Sequence, residues 1–245
     1  MNWLKIVLAF ACLVAGINLT AAQDGLQEAR CLLKRHYIEG ELEKWPDIIQ
    51  KMEKQSDGSL EWQTEILMAK YGLIGYHLGN GRKADARDWL KSAEDDLEQA
   101  IRKFPEAVQL HSMQTGFYGF RIALSFWNAP LILPRLKESH ETAKKLGAEN
   151  PFVWLEEGNS FFNRPQAFGG DKHQAIVCYQ KALRGFESQL DAECSWLVVF
   201  LRVLLVKAYF QTEQENAYQV RRQELEQEFG TMPWLDLFMQ SDILD

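Results

Sequence analysis

The run Glu94-Asp95-Asp96-Leu97-Glu98 is the most suggestive of chemistry, because carboxylates one turn apart on a helix can hold the divalent cations used in prenyl transfer. Such a site needs the acids to line a cavity opposite a second acidic cluster. Here Leu97, with Ala93 and Ala100, marks the buried face of the same helix, so the acids are expected to point to water. The histidines (His36, His77, His111, His140 and His173) form no His-x3-His pair that would set two metal ligands on one helical face. Neither a Gly-x-Ser-x-Gly nucleophile elbow nor a Gly-x4-Gly-Lys-Ser/Thr phosphate loop occurs in the chain. Gly169-Gly170-Asp171 precedes a helix, whose start attracts anions, but Asp171 would repel one and is better suited to cap the helix itself. Cys31 and His36 would project in different directions from one helix and so make no catalytic pair. These residues imply neither an enzyme nor a metal or cofactor.

The elements that carry them begin with an address. One basic residue, Lys5, precedes the apolar stretch Ile6 to Ile17, and small residues (Thr20-Ala21-Ala22) follow before Gln23-Asp24. That order predicts a secretory leader over 1–22, cleaved after Ala22. The apolar stretch is about 18 Å long as a helix, short of a ~30 Å hydrocarbon core. Cys12 lies inside the stretch and lacks the context of a lipoprotein site. The remaining chain is expected in the periplasm or outside the cell, with no transmembrane segment. Cys31, Cys178 and Cys194 are an odd set for an oxidising compartment and read as small buried hydrophobes on helices, not as a disulfide.

Composition supports a folded helical chain: 47% hydrophobic and 25% charged residues, with only 7 prolines in 245. A net charge of −7 argues against nucleic acid as a partner. Apolar residues recur with a period near 3.6 throughout, as in Leu67, Tyr71, Ile74 and Leu78. Breaks fall at Gln55 to Gly58, Gly79-Asn80-Gly81, Asn128-Ala129-Pro130, Gly147 to Pro151, Arg164 to Gly170 and Gly230 to Pro233. They divide the chain into about five helical hairpins at 25–55, 60–103, 107–146, 151–187 and 192–229. Trp196 to Val206, interrupted only by Arg202, reads as a central buried helix. The apolar residues of the tail (Trp234, Leu235, Leu237, Phe238 and Met239) read as a short capping helix. The domain organisation is thus a leader at 1–22, a helical-repeat domain at 23–230 and a capping helix or tail at 231–245.

Small residues recur where helices would cross closely. Ala93-x3-Leu97-x2-Ala100 and Ala175-x3-Tyr179-x2-Ala182 are two such stripes, and Trp154-x3-Gly158-x2-Phe161 lies on the helix before the second. The segment from Asn150-Pro151-Phe152-Val153-Trp154 through Gly158, Phe161-Phe162 and Pro165-Gln166-Ala167-Phe168-Gly169-Gly170-Asp171 to Ala175, Tyr179 and Ala182 resembles the exported bacterial tetratricopeptide-repeat proteins. A similar Ala-Phe-Gly-Gly loop occurs in repeat proteins associated with TRAP-type solute uptake. The connection from Gly158 to Ala175 is longer than a standard hairpin's. The resemblance implies an all-α, right-handed solenoid of about five antiparallel hairpins. It implies a non-enzymatic exported scaffold that binds a protein or peptide of the cell envelope. The alternative it implies is an accessory component of periplasmic solute uptake that holds a small ligand or a solute-binding protein. Asn159, Phe162 and Asn163 fall off the packed stripe of their helix and are the candidate groove residues, two amides for a peptide backbone and a ring for an apolar side chain.

Overall fold

The computed structural model describes residues 24–189 and 192–240, so the leader expected over 1–22 lies outside the described residues. Three helices begin where a short polar side chain satisfies exposed backbone N–H groups. Ser59 accepts from the Trp62 N–H at the start of α3 (Leu60–Gly79). Asn150 does the same for α7 (Pro151–Asn163), with Pro151 in the first turn where no N–H is needed. Asp171 accepts from the backbone of both His173 and Gln174 and starts α8 (Lys172–Glu187), which is the capping role read from the sequence.

The remaining helices are α1 (24–39), α2 (Trp45–Gln55), α4 (Lys83–Lys103), α5 (Val108–Leu124), α6 (Ala129–Gly147), α9 (Trp196–Gln211), α10 (Glu215–Phe229) and α11 (Leu235–Gln240). No strand occurs among the described residues. Consecutive helices pair antiparallel. Lys103 at the end of α4 donates to the Gly58 carbonyl beside the start of α3, 2.6 Å away. Gly147 at the end of α6 lies against Val108 at the start of α5, and Gly185 near the end of α8 against Pro151 at the start of α7. Lys51 of α2 pairs with Glu28 of α1, and α10 packs along α9. The fold is all-α, each helix packed on its neighbours.

Close approach is set by small side chains. Ala175, Tyr179 and Ala182 of α8 are all fully buried. A Cβ at Gly158 of α7 would lie 2.6 Å from the Tyr179 ring, so only glycine admits that ring. The long connection between the two helices is a compact turn, Gln166–Phe168, followed by Gly169 at φ +88°. A Cβ on the next residue, Gly170, would collide with the Arg164 carbonyl.

The first hairpin also meets the last. Cys31 of α1 and Cys194, just before α9, form a disulfide with Cα atoms 4.5 Å apart. This corrects the reading of the cysteines as separate buried hydrophobes. The pairing was hidden because the two residues are 163 positions apart and meet only through tertiary packing. Cys178 is the free cysteine among the described residues, buried on α8. Tyr37 of α1, Trp45, Trp196 and Phe200 of α9, and Trp234 form an aromatic cluster across the same junction. Trp234 donates to the Tyr37 carbonyl at 3.0 Å. Leu235 and Met239 bury α11 against the fold. A stack in which each hairpin touches only its sequence neighbours would not make this seam.

Candidate functional site

The expected groove residues occupy three different settings. Asn159 commits both ends of its amide inside the fold: Nδ2 donates to the Tyr71 hydroxyl at 2.9 Å, and Oδ1 accepts from the Tyr179 hydroxyl at 3.0 Å. Phe162 is buried, with its ring beside Tyr179 and the Lys172 ammonium over its face. Asn163 is exposed, and its amide donates back to the Asn159 carbonyl. Beneath Asn159 lies Glu156, a buried carboxyl that the sequence did not single out. Gly116 of α5 makes room for it: a Cβ there would sit 2.8 Å from the Glu156 carboxyl and 2.6 Å from the Tyr71 ring. Burial pushes the Glu156 carboxyl up to about 8, against the opposing effect of hydrogen bonds from Tyr71 and Asn159. Desolvation likewise holds the Tyr71 and Tyr179 hydroxyls well above their ordinary range. Glu156 is therefore protonated at neutral pH, in a polar cluster that joins α3, α5, α7 and α8.

The acids of α4 do not all point to water. Asp95 and Glu98 are exposed as expected. Glu94 instead clasps Arg121 of α5 through both carboxylate oxygens, and Asp96 meets the buried Lys70 of α3. Lys70 also pairs with Glu53 of α2 at 2.7 Å, so one ammonium fastens three helices. The physical reason is that a half-buried helix edge lies within reach of cations on its neighbours, which periodicity within one helix does not reveal. Over Lys70, Trp89 and Glu53 there is a shallow cleft of about 330 Å³. Among the described residues, His36, Glu39 and Glu41 could bring three ligand atoms within 4.8 Å of one another. Lys44 and His36 already hydrogen-bond Glu41 and hold its carboxyl below the usual range.

A second cleft, of about 300 Å³, runs between α4, α5 and the start of α6, lined by Arg87, Lys91, Glu94, Arg121, Asn128 and Ile132 among others. Beside it the α5–α6 connection exposes apolar side chains in succession. Trp127 is 90% exposed and Leu131 76%, flanked by Phe126 and Leu133. The cause is local. Phe126–Asn128 form a single tight turn, Pro130 sits in the first turn of α6, and Pro134 follows inside it. Ala129 is the only residue between Phe126 and Leu131 that is buried. This ridge is the largest run of exposed apolar side chains among the described residues. Isolated exposed leucines are ordinary on a protein surface; a contiguous aromatic and aliphatic ridge marks a contact surface. Sequence reasoning passed over it because Asn128-Ala129-Pro130 registers as a break. The available signal was that this break is bordered on both sides by apolar runs, Phe126-Trp127 and Leu131-Ile132-Leu133, where polar residues would be expected.

No helix among the described residues is long and apolar enough to cross a membrane. Compared with known proteins, the chain matches no family model and no curated protein.

Proposed function

We propose that this chain is an exported, non-enzymatic helical-repeat scaffold of the tetratricopeptide type, closed on itself by the seam between α1 and α9, and that it acts by binding through its surface. The observation that carries this reading is the ridge of Phe126, Trp127, Leu131 and Leu133. Burying an exposed Trp or Leu side chain stabilises a contact by about 1.5–3 kcal/mol, and here several such side chains stand together without cover from the fold. Export is supported by the Cys31–Cys194 disulfide, since such bonds persist in oxidising compartments and seldom in the cytosol. The repeat reading is supported by the antiparallel pairing and by the Ala–Tyr–Ala stripe of α8 fitting against Gly158.

Photocrosslinking in the living cell tests this. A benzophenone amino acid in place of Trp127 is expected to form abundant adducts. The same group in place of Glu98, an exposed residue in the last third of α4, should form few. Equal or absent adducts at the two positions would overturn the reading.

A further inference from the structure

The ridge has several cations beside it, some paired with acids and some not. No Asp or Glu stands between Glu106 and Glu138, although the whole chain carries a net charge of −7. Within that acid-free stretch lie Arg121, Arg135 and Lys137. Arg121 is neutralised by Glu94, and Lys137 pairs with Glu141. Arg87 and Lys91, which line the cleft beside the ridge, and Arg135 are exposed and make no ion pair among the described residues. A second exposed ring shares this end of the molecule. Val108, which opens α5, and Asn150, which caps α7, both meet Gly147. The two helices therefore start together and run toward the same end of the molecule. Phe168, in the connection that follows α7, is exposed and lies at the same end as Trp127.

Three partner chemistries can be told apart by shape and charge. A peptide strand or helix needs a concave apolar seat, and the cleft here sets Arg87, Lys91, Glu94 and Arg121 among its leucines and Ile132, while Phe126, Trp127, Leu131 and Leu133 are not part of its lining. A second copy of the chain would bring like-charged ends together. An anionic bilayer surface needs no complementary shape. Aromatic side chains settle at the level of the headgroups, aliphatic ones reach the first methylenes, and flanking Arg and Lys meet the anionic lipids. The overall negative charge does not forbid this, because charges more than about 8 Å from the surface are screened at physiological salt.

On this basis, and resting on the reading of the ridge as the contact surface, we propose that the α5–α6 end of the protein docks on an anionic membrane surface. Phe126, Trp127, Leu131 and Leu133 insert into the interface, and Arg87, Lys91 and Arg135 face the headgroups. The protein is thereby held at the membrane without any segment that crosses it.

Co-sedimentation of the purified, exported protein with phosphatidylcholine vesicles, with and without about a third phosphatidylglycerol, tests the proposal. Binding is expected to the anionic vesicles, to fall at least tenfold on the neutral ones, and to weaken as salt rises from about 50 to about 500 mM. Trp127→Ala should lose roughly tenfold in affinity, and Arg87→Gln and Arg135→Gln about fivefold each. Val177→Ala, which trims an exposed apolar side chain on α8, should bind as the parent does. Because Trp127 is mostly exposed, its variant keeps the fold, which circular dichroism verifies. No binding to anionic vesicles, equal binding to neutral ones, or unchanged binding by Trp127→Ala would each overturn the proposal. Self-association that depends on Trp127, or crosslinks from position 127 to protein alone, combined with no vesicle binding, would overturn the membrane docking while leaving the ridge as the contact surface. Absence of both crosslinks and vesicle binding would remove the two readings together.

Discussion

The seam and the ridge are built from the same kinds of residue and have opposite fates. At the seam, Trp45 and Trp196 lie with ring centroids 5.1 Å apart, and Tyr37 packs on both. A Cβ at Gly72 of α3 would meet Trp45 at 2.4 Å and Trp196 at 3.1 Å, so even the backbone of a third helix is drawn against these rings. At the ridge, Phe126 and Trp127 meet nothing comparable, and Trp127 is 90% exposed. Composition therefore does not decide burial. What separates the two regions is whether a distant segment is delivered to cover the rings. The disulfide and α11 deliver it at the seam, while the turn and prolines of the α5–α6 connection hold the ridge outward. The lesson is that an aromatic cluster within one chain reads as core only where remote contacts close over it.

Breaking the seam should have the largest effect on stability. Cys194→Ser opens a loop of 163 residues, worth about 5 kcal/mol in the loop-entropy account. At roughly 2–4 °C per kcal/mol for a chain of this size, thermal melts should show a fall of about 10–20 °C. Reductant should lower the parent to the same midpoint and leave the variant unmoved.

Glu156 lies in the core between these regions, and its effect depends on pH. Burial raises its carboxyl from the ordinary 4.5 to about 8 in the folded protein. Between those values the folded state holds a proton that the unfolded state has released. Stability therefore falls as pH rises through the window, by roughly 1.4 kcal/mol per unit. Denaturant melts at pH 5 and pH 7 should differ by about 2–3 kcal/mol from this group, and Glu156→Gln should remove that part of the slope. If the variant keeps the whole slope, Glu156 is not the group that titrates.

Much of the frame could be read before the structure. Gly79-Asn80-Gly81, Asn150-Pro151 and Asp171 punctuate helices through short-range chemistry, and short-range chemistry is what a sequence displays. The same holds for Ala175, Tyr179 and Ala182, whose spacing alone places them on one buried face. The seam was not legible, because Cys31 and Cys194 are joined by the path of the whole chain and not by any local pattern. Lys70 was hidden between apolar neighbours on α3, and only the positions of Glu53 and Asp96 explain how a charge is buried there. Of the expected groove residues, Asn159 is committed to two tyrosines from other helices, which spacing on α7 could not show. The ridge was visible as letters but not as a surface, since exposure is set by what fails to pack on it.

Substitutions in these two kinds of place should separate further. Ala182→Leu adds side-chain volume to the filled contact between α7 and α8, and should cost about 1–3 kcal/mol by overpacking. Trp127→Ala removes a far larger side chain, yet should change stability by less than about 0.5 kcal/mol, because the fold does not cover it. Equal losses in thermal melts would mean that the ridge is part of the core after all.

Hydroxyl-radical footprinting of the tryptophans, in the isolated protein and in intact cell envelopes, tests the central claim most directly. Trp45 and Trp196 should stay unmodified in both, because the seam encloses them. Trp127 should be heavily oxidised in the isolated protein and protected in the envelope. Equal oxidation of Trp127 in both settings would contradict the account, since the ridge would then contact nothing where the protein works.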